Sequence, residues 1–179
     1  MVGVDWHAAL AYCRWLGAVT GKPITLPSEA EWEKAARGAD DARAYPWGDD
    51  FDAALCNVRE SGFGWTTPVG IFLNGASPYG CLDMAGNVWE WTRSLWGKGS
   101  ECEFAYPYDP LDPRREQLDA KSDITRVVRG GSWCGPRDDA RCAYRLRGQP
   151  DDRHDDLGFR VVLRAAPVSS APSSGDSEL

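Results

Sequence analysis

Apolar residues recur at helical spacing near the start of the chain. Trp6, Leu10 and Cys13 lie three or four residues apart, which predicts an amphipathic helix over residues 4–18. Asp5 stands where its carboxylate can cap the first turn. The glycines that follow the apolar positions are stop signals, so we expect this helix to end in the high teens.

A second helix is predicted from its own start signal. Ser28 and Glu31 have the spacing of a capping box, and the pattern continues to Arg37. Trp32 and Ala36 form the face that we expect to be buried. The charged positions assigned to the solvated side are Glu29, Glu33 and Lys34.

Periodicity is lost in two long stretches, residues 38–74 and 96–122. Both are rich in turn-forming residues and aromatic side chains, so they are predicted to be ordered loops rather than regular elements. Loops of this length need internal ties such as bound ions or packed indoles.

The densest stretch, residues 80–92, holds two carboxylates, two glycines and two tryptophans. Its second half alternates, which predicts a strand over residues 87–92. Asp83 and Glu90 are expected to meet a cation, backbone amides or an arginine, because a buried carboxylate is costly when unpaired. The alternative is a turn anchored by tryptophans, with both carboxylates bonded only to the main chain.

The C-terminal third places a polar segment, residues 136–156, between two apolar strands. The strands are predicted over residues 126–133, ending in a glycine pair, and over residues 157–163. A surface segment pinned at both ends suits a binding surface. The alternative is a solvated loop whose Arg–Asp pairs contribute little.

Composition fits one domain over residues 1–164, and residues 165–179, rich in Ser, Ala and Pro, are predicted to form a disordered tail. The net charge of −7 argues against nucleic acid and anionic membranes as partners. No apolar run predicts a membrane span or a leader, which indicates a cytoplasmic location as the sequence stands; the alternative is an exported protein whose leader is absent from it, so the compartment stays open. The six scattered cysteines lack zinc spacing and leave the redox compartment open.

Several motifs occur in an order typical of one family. The chain carries TGKPITLPSEAEWEKAARG, YPWGD, GCLDMAGNVWEWT, RVVRGGSW and LGFRVVL. Across residues 4–163 this resembles the formylglycine-generating-enzyme (sulfatase-modifying factor) family. The resemblance implies an irregular α+β architecture of the C-type lectin-like type, with two helices, a small antiparallel sheet and long ordered loops.

The resemblance also implies two calcium sites. Oxygen ligands of mixed carboxylate and carbonyl type suit this hard cation. The first set is Asp83, Gly86, Val88 and Glu90. The second set is Asn57, Val58, Ser61 and Phe63, in which Ser61 stands where the family pattern has Asp. Calcium is therefore expected at the first site, and the second site lacks a carboxylate.

The family's enzymes oxidise a substrate cysteine with a closely spaced, copper-binding pair of thiols. Here Cys134 follows Trp133 directly, and seven residues separate it from Cys142. Because Cys142 matches a stretch beyond the family's second catalytic thiol, the pair is predicted to be absent and copper is not expected. The family's N-terminal strand is also missing, so either the chain is a minimal version or its last strand, residues 159–163, pairs elsewhere.

The run RGGSWCGPRDDARCAYRLRGQPDDRHDDLGFRVV resembles the variable region of proteins diversified by retroelements, within residues 130–162. Such regions exclude Gln, Lys, Glu, Met and Trp at randomised positions. The candidate variable residues are Cys134, Gly135, Asp138, Asp139, Tyr144, Leu146, Gly148, Asp152, His154, Asp155 and Asp156. The matching framework residues are Pro136, Arg141, Ala143, Arg145, Pro150, Arg153, Gly158, Phe159 and Arg160.

Three functions remain open at this point. The first hypothesis is a non-enzymatic protein that binds an unknown protein or cell-surface ligand through this diversified, acidic segment. Tyr144, Leu146 and His154 would be its contact anchors, and framework arginines would hold its backbone. The second hypothesis is a copper-dependent formylglycine-generating oxidase using Cys134 and Cys142. The third is a structural member that packs against another subunit, and the oligomeric state is open.

Overall fold

The computed structural model describes residues 1–39 and 42–164. The predicted tail, residues 165–179, lies outside them. The described part has two α-helices, six strands and four short 3₁₀ turns. The regular elements are α1 (Trp6–Thr20), β1 (Ile24–Thr25), α2 (Glu29–Arg37), β2 (Trp89–Lys98), β3 (Ile124–Arg129), β4 (Leu146–Gly148), β5 (Leu157–Phe159) and β6 (Val162–Leu163).

The first helix is confirmed and ends two residues later than predicted. The Asp5 carboxylate accepts a hydrogen bond from the Ala8 amide at 2.6 Å, which caps the N-terminus. Gly21 adopts a φ of 67° at the other end, a left-handed conformation that costs glycine little. Trp6, Leu10 and Cys13 are buried as the periodicity predicts.

The second helix begins with the predicted capping box. The Ser28 hydroxyl accepts from the Glu31 amide at 3.0 Å, and the Glu31 carboxylate accepts from the Ser28 amide at 2.8 Å. These bonds satisfy two of the donors that a helix start leaves without partners.

The assignment of charged residues to a solvated side of α2 was wrong for two of the three. Lys34 is exposed, but Glu29 is fully buried between Arg115 and Arg145. Glu33 accepts a hydrogen bond from the buried Arg129. The arginines come from segments far along the chain, so spacing within the helix cannot reveal that they cover its charged side.

The main sheet has the order β4-β3-β2-β5. Three strands are antiparallel, and β5 pairs in parallel with β2, which aligns Trp89 with Leu157. Strand β2 continues to Lys98, so the irregular insert predicted from residue 96 begins later. Strand β4 lies inside the segment predicted to be a polar surface loop, which corrects that prediction.

Both sides of β2 are covered, and the strand begins two residues after the predicted start at residue 87. The Trp91 indole donates to the Val4 carbonyl and packs in the cluster beneath α1, together with Trp6. The Glu90 carboxylate points to the other side, where the Trp32 indole of α2 donates to it at 2.7 Å. The central strand is therefore a buried layer between the two helices.

The predicted last strand is divided into two parts. Strand β5 joins the main sheet, while β6 pairs antiparallel with β1, with Ile24 opposite Leu163. The end of the domain therefore finds a partner strand near its beginning. In the described residues, no helix combines the length and the apolar character that crossing a membrane requires.

Candidate binding surface

The candidate variable segment starts where the chain leaves the sheet. Gly130 and Gly131 follow β3 with φ values of 98° and 75°, and a side chain at 131 would stand 2.9 Å from the Ala140 amide nitrogen. Only glycine fits this close crossing. The segment pairs with the sheet again at β4 and ends at β5, so β3 and β5 hold its two ends on opposite sides of β2.

One cavity of about 210 Å³ opens among the candidate residues, and we call it the Trp89 pocket. Its floor consists of Trp89, Val128 and Leu157, which belong to the hydrophobic core. Its other lining residues are Leu146, Arg147, Gly148, Asp152, His154 and Asp156. Five of the eleven candidate variable residues therefore converge on one pocket.

Other candidates border this pocket. The exposed Cys134 thiol donates to the Asp156 carboxylate at 3.3 Å. The Tyr144 ring lies 6.0 Å from the Trp89 ring, centroid to centroid. Burial raises the pKa of Tyr144, and the neighbouring Asp139 carboxylate raises it further. These contacts extend the surface beyond the pocket.

Three of the candidates stand apart from those contacts. Asp138 and Asp155 are exposed, and neither lines the Trp89 pocket. Gly135 is buried, and a side chain there would meet the Asp139 carboxylate at 3.3 Å. The structure thus gathers most of the predicted set, but not all of it.

Gly148 has less room to vary than the other candidates. A Cβ atom at this position would stand 2.6 Å from Cη2 of the fully buried Trp91. The indole would have to move before any side chain could be accommodated, and a packed core resists such shifts. Position 148 therefore has the character of a framework residue that also lines the pocket.

The main chain beneath the candidates is held by a buried arginine from β3. Arg129 has no exposed surface, and it donates to the carbonyl oxygens of Ala143 and Tyr144 at 3.2 and 2.7 Å. Its other terminal nitrogen donates to the Cys142 carbonyl and the Glu33 carboxylate. One guanidinium thus fixes three consecutive carbonyl groups of the segment.

The framework arginines make the predicted bonds to carbonyls and carboxylates. Arg145 forms a two-point pair with Glu29, Arg153 pairs with Asp5, and Arg160 pairs with Glu90. Two further arginines bind main-chain oxygens: Arg141 donates to the Asp138 carbonyl and Arg147 donates to the Gly99 carbonyl. The backbone is therefore anchored through positions that are not candidates for variation.

The aspartates of the segment differ electrostatically from the structural carboxylates. Glu29, Glu33 and Glu90 are each paired with arginine. By contrast, within residues 1–39 and 42–164 no lysine or arginine lies within ion-pair distance of the segment's candidate aspartates. These are Asp138, Asp139, Asp152, Asp155 and Asp156.

The two thiols of the oxidase hypothesis sit in different surroundings. Cys134 is exposed beside Ser132 and Asp156, whereas Cys142 is buried in the cluster of Trp32 and Met84. Burial raises the pKa of Cys142 to about 12 and also raises that of Cys134. Both environments favour the protonated thiol over the thiolate that binds copper.

The first predicted calcium set fits a cation in part. All four residues line one cavity of about 240 Å³. Asp83 is left-handed, with a φ of 55°, and the Gly70 amide donates to one of its carboxylate oxygens at 2.6 Å. Arg160 donates to both oxygens of Glu90 and to the Asp83 carbonyl. The expectation that these carboxylates meet an amide and an arginine is thus confirmed, and Asp83 keeps an oxygen for a metal.

The second predicted set fits less well. The Asn57 side-chain oxygen is buried and accepts no hydrogen bond from the described residues, as a metal ligand would. The Ser61 hydroxyl, however, accepts from the Val58 amide and donates to the Cys56 carbonyl. With that hydroxyl committed to a local turn, the set contains no charged ligand for calcium.

Sequence reasoning missed a second wall of this surface. Trp133 directly precedes Cys134, and the ring of the half-exposed Trp65 lies 5.3 Å from the Trp133 ring, centroid to centroid. Arg59 donates through two nitrogens to the Cys134 carbonyl at 3.0 and 2.8 Å. Trp65 and Arg59 both belong to the long aperiodic loop, where no spacing pattern could indicate which segment they would contact.

Two helices packed on a small mixed sheet, with long loops carrying the surface, define a C-type lectin-like domain. The Sulfatase-modifying factor enzyme 1-like domain model matches residues 1–165. The chain therefore belongs to that family.

Curated relatives include an active enzyme and an inactive one. The chain is 33% identical to formylglycine-generating enzyme of Mus musculus, covering 93% of this chain and 44% of the relative. It is 35% identical to inactive C-alpha-formylglycine-generating enzyme 2 of Bos taurus, covering 92% and 50%. The chain thus spans about half the length of these relatives, or less.

Solved structures of the same fold include a variable protein. Treponema denticola variable protein 1 superposes with a TM-score of 0.73 at 26% identity, covering 92% of this chain and 71% of the other. The relatives by sequence and by structure thus include both enzymes and a protein named for its variation.

Proposed function

We propose that this chain is a non-enzymatic ligand-binding protein, and that its C-terminal surface segment, residues 130–162, is a sequence-diversified binding site. The observation that carries the proposal is that separate sets of residues line the surface and hold the main chain. Candidate variable residues converge on the Trp89 pocket and its border, while arginines outside the candidate set hold the main chain from below.

The likeness to a variable protein of Treponema denticola supports the proposal. The burial of Cys142 and the raised pKa values of both thiols favour binding over copper chemistry. The ligand is an unknown protein or cell-surface molecule, contacted through Tyr144, Leu146 and His154. The unpaired aspartates make a cationic partner the best match.

Calcium has a structural role in this proposal. Asp83, Gly86, Val88 and Glu90 would hold the ion, which would supply positive charge to the loop before β2. Asp83 supplies the free carboxylate oxygen, and Arg160 shares Glu90 with the metal. The second set, around Asn57, is the weaker candidate because it offers no carboxylate.

The gene itself provides the first test. We expect the DNA beside it to contain a near-copy of the region encoding residues 129–162, next to a reverse transcriptase gene. The two copies should differ only where the template has adenine. A flanking sequence with no near-copy and no reverse transcriptase would contradict diversification by this route.

A pair of display libraries tests the protein directly. One library randomises Tyr144, Leu146, Asp152, His154 and Asp156, and the control library randomises the framework residues Arg141, Ala143, Arg145, Pro150 and Arg153. We expect protease resistance to survive in most members of the first library and in few of the second. Equal loss of folding in the two libraries would refute the proposal that the candidate positions tolerate change while the framework positions hold the main chain.

Two further measurements complete the test. Selection of the first library against immobilised hen lysozyme, a cationic protein, should yield binders, while the control library should yield none. Copper(I) titration of the parent chain addresses the oxidase alternative. Tight binding that disappears in both Cys134→Ser and Cys142→Ser would return weight to the thiol chemistry.

A further inference from the structure

We propose that the Trp89 pocket receives a single lysine or arginine side chain of a protein ligand. This inference rests on the proposed function and deepens it, because it names the chemical group that the pocket recognises. It is carried by the size of the pocket, its apolar floor and the excess of carboxylates over arginine in its lining.

Size limits what the pocket can hold. Pockets for drug-sized ligands typically measure about 300–1,000 Å³, whereas this one measures about 210 Å³. Its volume suits one extended side chain. The floor of Trp89, Val128 and Leu157 is apolar, and the methylene stem of a long basic residue packs on such a surface.

The polar wall contributes two carboxylates with unused capacity. One oxygen of Asp152 accepts from the Gln149 amide at 2.8 Å, and one oxygen of Asp156 accepts from the Cys134 thiol at 3.3 Å. No described lysine or arginine pairs with either carboxylate. A cationic head group over the pocket would therefore gain charge-assisted hydrogen bonds that the protein itself does not supply.

Arg147 lines the same pocket, but one of its donors is already engaged. Its Nε atom donates to the Gly99 carbonyl at 2.9 Å, and its guanidinium carbon lies 5.9 Å from the centre of the Trp96 ring. The lining thus sets two carboxylates, those of Asp152 and Asp156, against one arginine. This balance of charge favours a cationic side chain over an anionic one.

The test measures binding of capped amino acids by NMR. The probes are the N-acetyl methylamides of lysine, arginine, norleucine and glutamate, titrated while the amide signals of residues 146–157 and the Trp89 indole signal are followed. Lysine and arginine probes should give saturable shifts. Norleucine should bind at least about fivefold more weakly, and glutamate should give no saturation.

A matched pair of double variants isolates the carboxylates. Asp152→Asn with Asp156→Asn should weaken the lysine probe at least about fivefold and leave norleucine unchanged. Asp50→Asn with Asp119→Asn removes the same charge from exposed positions outside residues 130–162, so it should change binding less than twofold. Equal loss in both variants would reduce the effect to general surface charge and overturn the inference.

The outcomes separate this inference from the proposed function. Suppose that the first display library yields folded binders while the parent chain shows no preference for cationic probes. The pocket inference then fails and the proposed function stands. If the library loses its fold while the lysine probe still saturates with the predicted selectivity, the diversified-site proposal fails and the pocket is a fixed site for basic side chains.

Discussion

Replacement of Arg129 by Met tests whether one buried guanidinium holds the binding segment in shape. The change removes donors from the carbonyls of Cys142, Ala143 and Tyr144 and leaves the Glu33 carboxylate without its partner from β3. Removing one member of a buried ion pair typically costs about 3–5 kcal/mol, and each hydrogen bond from a charged donor contributes about 1.5–3 kcal/mol. These contributions overlap, so we expect a loss of about 4 kcal/mol in the free energy of unfolding.

Such a loss is a large part of the roughly 5–15 kcal/mol that stabilises a typical domain. Urea denaturation measures it, and hydrogen exchange at the amides of residues 143–146 should quicken more than exchange in α1. The control is Arg114→Met, which removes an exposed arginine paired with Asp112 and should leave the urea midpoint unchanged. If the methionine variant does not fold, Arg129→Lys keeps the charge but cannot reach all four acceptors.

The reasoning would be refuted by a small, uniform effect. A loss below about 1 kcal/mol, with unchanged exchange at residues 143–146, would mean that the segment keeps its shape without this guanidinium. The double variant Glu33→Gln with Arg129→Met adds a second check. It should be more stable than the sum of the single changes predicts, because the two side chains interact directly.

Three further changes probe other parts of the structure. Burial alone would raise the pKa of the Glu31 carboxyl, but Arg93 and the Ser28 amide outweigh it and hold that pKa below its usual range. Stability from this group is present above the unfolded pKa of about 4.3 and is lost as pH falls through the folded value. Urea midpoints of the wild type and Glu31→Gln should therefore differ at pH 7 and converge as the pH falls below the folded value. Gly148→Ala should cost about 1–3 kcal/mol in urea denaturation because its methyl group meets the Trp91 indole, and a neutral result would show that the indole moves freely. Calcium should raise the melting temperature of the wild type but not of Asp83→Asn, and equal responses would place the ion elsewhere.

Local signals predicted the local structure well. The Asp5 cap and the Ser28–Glu31 capping box depend on residues a few positions apart, and both are formed as expected. The strand predicted over residues 126–133 was correct only as far as Arg129, because Gly130 and Gly131 adopt left-handed φ values that take the chain out of the sheet. The candidate variable residues came from a resemblance that covers a whole segment, and the pocket that five of them line was not predicted.

Long-range charge pairing is where sequence reasoning failed. Glu29 looks like an exposed helix residue because its partner Arg145 lies 116 positions later. Strand β4 was missed for a related reason. Its sequence, Leu-Arg-Gly, is too short and too polar to show periodicity, and pairing with β3 supplies the order that its composition lacks.

The attachment of the binding segment on either side of β2 has a consequence for protein engineering. Its ends are fixed by hydrogen-bonded strands, β3 before it and β5 after it, and the sheet sets the distance between them, since adjacent strands lie about 4.7–4.9 Å apart. Residues 130–156 can therefore be exchanged as a cassette between homologous scaffolds, with junctions in the two strands. Such grafts should succeed when the donor segment brings its own Arg145 and Arg153 and the recipient keeps Glu29 and Asp5 as their partners. The recipient must also keep the pair of Arg129 and Glu33, because Arg129 binds the carbonyls of the segment.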